Sequence, residues 1–342
     1  MVKVASTARL SRRAVVLSAA AALLASTAVA AQEPPSGGPL DGHEAGALPL
    51  GRLVWTSDRG RDGGLSVWML ESGAAEPQRL TFGEANDFSP ELSPDGTLLA
   101  FASDRDNPSA LTASGSYLRA YDIYLAGLDD EDPSRLHGDR TFKMRPTWSP
   151  DGTLIAFDGE DPDGEPIPET GGLTPQIWVM PSDGSTAPRM LTDDPGGALE
   201  PSWSPDGTRL VYRSLRDGRI VSMAADGSDA TPLTEGPGDA QPEWSPDGSS
   251  IVFSSDRSGD REIYRMAADG SNVVRLTDSP DFDGQPTWSP DGTMIAFVTD
   301  RGASRDVYLM NADGTGQVDL SGNGPSDDGE HRGSDFSPSW SA

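Results

Sequence analysis

The 342-residue sequence has no cysteine, so neither a disulfide nor a lipid-linked cysteine holds any part of it, and a hydrophobic core must do that work. Histidine is nearly as scarce: only His43, His137 and His331 occur, which leaves no cluster of imidazoles for a transition metal. Positive charge is short as well, with 26 Lys and Arg against 54 Asp and Glu and a net charge of −28. A surface of that sign argues against nucleic acid and anionic lipid, both of which select for basic patches. No Gly-x-Ser-x-Gly nucleophile elbow is present, and no segment carries a convincing helical period. The expected fold class is therefore all-β.

Long apolar runs are absent except near the start. Residues 14–25 form one that is too short to span a bilayer. Lys3, Arg9, Arg12 and Arg13 precede it and Ala28-Val29-Ala30 follows it, so residues 1–31 read as a cleavable export signal. Arg12-Arg13 suits a twin-arginine signal, and adjacent arginines also occur in Sec signals, so both routes stay open. Removing those four positive charges moves the net charge from −28 to −32. Residues 32–50, rich in Pro, Gly and Ala, read as a disordered lead-in, and residues 51–342 as one repeat domain. The destination is periplasmic or extracellular, and no membrane insertion is expected.

What is present is repetition. Trp-Ser-Pro-Asp-Gly recurs at 148–152, 203–207, 244–248 and 288–292, with Leu92-Ser93-Pro94-Asp95-Gly96 as a variant. The shorter spacings, 41 and 44 residues, match a four-stranded propeller blade. In the best-defined unit, Gln285 to Trp288 reads as a short strand A and Ser289-Pro290-Asp291-Gly292 as a type I turn. Met294 to Val298 then reads as strand B, Asp306 to Met310 as strand C, Ala312-Asp313-Gly314-Thr315 as a hairpin turn, and Gly316 to Leu320 as strand D. Five such sets begin at residues 89, 145, 200, 241 and 285. A sixth is split: Arg52 to Arg59 matches a strand B with its following turn, and Ser337 to Ser341 matches a strand A. The expected architecture is a six-bladed β-propeller of four-stranded antiparallel blades, closed when the C-terminal strand A joins the N-terminal strands B to D.

The repeat Pro-x-Trp-Ser-Pro-Asp-Gly, apolar strand, Ser-Asp-Arg, Ile-Tyr-x-Met-x-Ala-Asp-Gly-Ser, Arg-Leu-Thr is fullest at Pro242 to Thr277. It resembles the propeller repeat of the TolB family, without the α/β domain that TolB carries ahead of its propeller. The resemblance implies a partner-binding propeller. Related propellers also serve as peptidase lids and as the catalytic body of pectate-degrading lyases, so it does not fix an activity.

Strand A runs from an upper face down to the Ser-Pro-Asp-Gly turn, and the long connections 104–120, 159–175 and 321–336 all belong to that upper face, which marks it as the binding face. Strand A should line the central channel. Five residues before each Trp or its equivalent stand Asp87, Lys143, Ala198, Asp239, Asp283 and Asp335; three before stand Ser89, Arg145, Glu200, Gln241, Gln285 and Ser337. Both sets are expected to ring the channel mouth, acidic on most blades and basic at Lys143 and Arg145. Trp148, Trp203, Trp244, Trp288 and Trp340 should pack between neighbouring blades, and pairs such as Asp256-Arg257 should tie turns.

The expected function is an exported, monomeric, non-catalytic propeller that binds a cell-envelope or extracellular protein or glycan. Its expected contact residues are Asp87, Lys143, Arg145, Glu200, Asp239, Gln241, Asp283, Gln285, His331 and Asp335. No cofactor is expected; the acidic ring offers hard oxygen ligands that would suit Ca²⁺. The alternative is a polysaccharide-acting lyase or hydrolase with carboxylate chemistry at the channel mouth, where His331 beside Asp335 would act as general base.

Overall fold

A strand that faces a central channel has no partner on that side, and here every such strand carries a proline in its middle, where a donor would otherwise be exposed. Pro90, Pro146, Pro201, Pro242, Pro286 and Pro338 hold this position in six inner strands: Asp87–Leu92, Lys143–Trp148, Ala198–Trp203, Asp239–Trp244, Asp283–Trp288 and Asp335–Ser341. A computed structural model describes residues 48–60, 63–106, 110–111, 117–118, 121–129, 132–138, 142–160, 174–302, 304–321 and 333–342. Within it each inner strand heads a four-stranded antiparallel sheet, and six such sheets form the ring. The blade that shows the pattern most fully runs Asp239–Trp244, Ser250–Ser255, Glu262–Ala267 and Val274–Arg275. A small separate ribbon pairs Ala110–Leu111 with Tyr117–Leu118. No helix occurs among the described residues.

The sixth sheet is assembled from both ends of the chain. Asp335–Ser341 pairs with Arg52–Ser57, which pairs in turn with Ser66–Glu71 and Gln78–Arg79. Side-chain and backbone bonds fasten the junction: Trp340 Nε1 donates to the Leu50 carbonyl at 2.7 Å, and the Arg59 guanidinium meets Asp335 at 2.7 Å. Gly51 is required there, because it sits at φ 72° and a Cβ would lie 2.1 Å from the Ser341 carbonyl oxygen. The expected closure is therefore observed.

Two boundaries differ from those read in the sequence. Inner strands start two residues earlier than expected, as at Asp283, and outermost strands are only two residues long, as at Val318–Asp319. At the rim of a blade an outer strand has a neighbour on one side only, and water satisfies the rest of its backbone.

The core lies between sheets. Trp203 packs with Ala156, Ile177 and Val179 of the preceding blade, Trp340 with Met294, Ala296 and Leu309, and Trp288 with Val252 and Ile263. Repeated polar residues serve the backbone. In each Ser-Pro-Asp-Gly turn the serine hydroxyl donates to the aspartate, as from Ser245 to Asp247 at 2.6 Å, and accepts from a backbone N–H further on. These bonds hold the turn aspartates below the usual carboxylate range. The threonine of Arg-Leu-Thr accepts a strand C amide in the same blade, Ile263 to Thr277 at 2.9 Å and Val67 to Thr81 at 2.9 Å.

Candidate functional site

The two rings read from the inner strand behave differently. The residue five before the Trp is buried inside its blade: Asp87 and Lys143 are 1% and 2% exposed, and Asp239, Asp283 and Asp335 are at 0%. Each of the four aspartates meets the arginine that follows strand B of its own blade. Arg105 reaches Asp87 at 3.0 Å, Arg257 reaches Asp239 at 2.7 Å, Arg301 reaches Asp283 at 2.6 Å and Arg59 reaches Asp335 at 2.7 Å. The guanidinium is itself stacked on two aromatic rings, Arg257 over Phe253 and Tyr264 at 5.2 and 5.0 Å and Arg105 over Phe101 and Tyr124 at 5.0 Å each. Burial pushes the Asp283 carboxyl up to about 6 although Arg301 opposes it.

These five residues, Asp87, Lys143, Asp239, Asp283 and Asp335, therefore do not ring the mouth as the sequence suggested. The four aspartates are clamps within blades, and Lys143 is a tie between two. Of the two blades without the aspartate, the one at Lys143 has no arginine two residues past Gly159, whereas the one at Ala198 keeps Arg216 two residues past Ser214, exposed and 3.9 Å from Asp217. Lys143 turns to Asp122 of the preceding blade at 2.9 Å. Nor do the four carboxylates converge on a cation: no cluster of three or more metal-ligating side chains exists among the described residues. The partner of Arg257 is Asp239, and Asp256 instead lies 3.5 Å from Arg261, which corrects the expected Asp256-Arg257 turn pair. His43 and His331 fall outside the described residues, as does most of the long connections 104–120, 159–175 and 321–336; His137 follows the outermost strand of its blade.

The second ring does reach the channel. Ser89, Arg145, Glu200, Gln241, Gln285 and Ser337, one from each blade, line a single channel of ≈ 380 Å³. All six adopt left-handed backbone, φ between 48° and 62°, immediately before the proline. Such conformation is uncommon for residues with a Cβ. A β-bulge explains it: between Ala240 and Glu243 the inner strand advances three residues while its neighbour advances two, and the same shift recurs in every blade.

A second tier, one residue before the Trp, was not picked out from the sequence. It comprises Glu91, Thr147, Ser202, Glu243, Thr287 and Ser339. The Glu91 carboxylate accepts the Trp148 N–H at 2.9 Å and the Thr147 hydroxyl at 3.2 Å; Glu243 does the same for Trp288 at 2.8 Å and Thr287 at 3.0 Å. Desolvation raises Glu91 to about 8, with Glu243 adding repulsion, and raises Glu243 to about 7. The same repeat offset that gives the upper tier would have found this one.

The class this defines is a six-bladed propeller with a two-tiered polar channel. The fold is a TolB-like β-propeller. The profile of the TolB beta propeller domain matches residues 236–341. An uncharacterised protein of Agrobacterium fabrum is 34% identical over 188 residues, 41% of this chain and 64% of that protein. The Tol-Pal system protein TolB of Bordetella pertussis is 31% identical over 147 residues, 32% of this chain and 33% of that protein. Among solved structures, a TolB from Agrobacterium tumefaciens superposes at TM-score 0.58 with 28% identity over 79% of this chain and 87% of that one. TolB from Acinetobacter baumannii superposes at TM-score 0.67 with 21% identity over 85% and 66%. An oligogalacturonate lyase from Vibrio parahaemolyticus, at TM-score 0.55, 17% identity and 80% and 75% coverage, shares the fold alone. The chain thus spans less than two thirds of the length of these curated relatives.

Proposed function

We propose that this propeller is an exported binding module that takes a cell-envelope or extracellular protein or glycan at the upper end of its channel. The observation that carries the reading is the convergence of six side chains of four kinds, Ser89, Arg145, Glu200, Gln241, Gln285 and Ser337, on one channel, while the positions around them repeat from blade to blade. Repeated positions serve the scaffold; positions that differ around the ring can recognise something asymmetric. The chain acts alone, without catalysis, and reaches its compartment through the signal at residues 1–31 by the Sec or twin-arginine route.

The test is capture from a native envelope fraction by purified protein, compared with Glu200→Ala and Gln285→Ala. Both variants should lose the captured partner while remaining folded by circular dichroism. Undiminished capture by both would overturn the reading. A second reading, a polysaccharide-acting enzyme, is favoured by Glu91 and Glu243, two carboxyls raised to about 8 and about 7 that face one channel. It requires that purified protein turn over a glycan and that Glu91→Gln or Glu243→Gln abolish the turnover.

A further inference from the structure

The upper tier of the channel is tied by bonds between blades, and the ties stop partway round. Gln241 N–H donates to the Glu200 carboxylate at 2.7 Å, Gln285 N–H to the Gln241 amide oxygen at 2.9 Å, and Ser337 N–H to the Gln285 amide oxygen at 2.8 Å. Glu200 N–H in turn donates to Asp158 at 3.2 Å. In each case a side chain on one blade supplies the acceptor for the backbone of the next. The two remaining joints follow Ser337 and Ser89, whose hydroxyls make no bond to the next blade among the described residues. Among the described residues no such bond reaches the N–H of Ser89 or of Arg145. Yet their backbone, at φ 49° and 50°, is that of Gln285 at 52° and Gln241 at 55°, so both donors are aimed into the same belt.

Arg145 borders this gap. Its Nη1 meets both oxygens of Asp158 at 3.1 and 2.9 Å, and its Nε and Nη2 donate to nothing among the described residues. Burial works against its charge, but Asp158 and Glu200 outweigh that and hold its pKa above the ordinary value. Glu91, two residues along the strand from Ser89, has its carboxyl raised to about 8 and is mostly uncharged at neutral pH. An arriving anion therefore meets the edge of the Arg145 guanidinium that its pairing with Asp158 leaves undonated, beside a Glu91 carboxyl that repels it little. A planar acid with two acceptor oxygens matches a set of free N–H donors better than any neutral group does.

We propose that the Ser337–Ser89–Arg145 sector of the channel is a carboxylate subsite, in which a ligand oxygen takes the place of the acceptor that Gln and Glu supply at the other joints. The bonds are the N–H groups of Ser89 and Arg145, the free edge of the Arg145 guanidinium and the two serine hydroxyls. The channel, at ≈ 380 Å³, admits a short carboxylate-bearing group. This rests on the reading of the channel as the place where the partner enters, and it names the partner's leading chemistry, a carboxylate.

The experiment follows the amide resonances of Ser89 and Arg145 while sodium propionate or propionamide is titrated at pH 7 and constant ionic strength. Propionate should shift both amides saturably, with propionamide at least about tenfold weaker. The double variant Ser89→Gln/Ser337→Gln supplies the missing acceptors from the protein itself; Gln already stands in this backbone conformation at 241 and 285. It should lose the propionate response and melt higher than wild type. The proposal fails if neither amide moves, if propionamide binds equally well, or if the double variant responds as wild type does. If wild type still captures a partner from the envelope while ignoring propionate, the subsite is wrong and the binding module stands. If the amides respond but nothing is captured, the reverse holds.

Discussion

The residues five and three before each Trp lie two positions apart on the same strand and yet do opposite work. Asp239 is fully buried and clamped by Arg257 within its own blade, whereas Gln241 opens on the channel and bonds to blades on either side, accepting from Gln285 and donating to Glu200. The clamp repeats in four blades with the same chemistry, and the channel position changes from Ser to Arg, Glu and Gln. The bulge at the proline separates the two. An extra residue there breaks the two-residue alternation of the strand, so positions that alternation would place on one side part company.

The comparison can be broken most forcefully at the clamp. Replacing Asp239 with Ala leaves a guanidinium without its partner, sandwiched between Phe253 and Tyr264, and should cost about 3 kcal/mol of unfolding free energy in urea titration. A loss below about 0.5 kcal/mol would place Asp239 among surface pairs instead. In the lower tier, Glu91→Gln should change how stability depends on pH. A carboxyl whose folded value is raised from 4.5 to about 8 binds more protons folded than unfolded, so wild type loses stability as pH climbs through that window and levels off above it. Gln keeps the acceptor for Trp148 N–H, so the variant should gain on wild type between pH 5 and pH 9, by on the order of 2 kcal/mol in parallel melts. Parallel pH profiles for the two proteins would contradict this. The smallest effect belongs to the belt: Gln241→Ala frees the Gln285 N–H and the Ser254 hydroxyl to channel water and should cost about 1 kcal/mol by the same titration.

Blade number and closure were legible because each blade repeats its turn chemistry and because Arg52 to Ser57 and Ser337 to Ser341 complete each other's sheet. The channel ring at Arg145, Glu200, Gln241 and Gln285 was legible too, from its fixed offset before the Trp. The aspartate ring was misplaced because distance along a strand does not show which side of a bulge a residue occupies. Its true partner left a trace: Asp87, Asp239, Asp283 and Asp335 occur only in blades that also carry Arg105, Arg257, Arg301 and Arg59. Glu91 and Glu243 were overlooked because only two of six blades have a carboxyl there, and nothing in the sequence signals that it bonds the next blade's backbone.

The central claim is that the working surface is the upper end of the channel and not the rim or the turns below. It is tested most directly by placing a photo-crosslinking phenylalanine analogue at Phe336, beside Ser337 on the inner strand, or at Val273, exposed in the turn between strands C and D. Irradiation in the native envelope should yield a discrete adduct from position 336 and none from position 273. Adducts from position 273 alone would contradict the account.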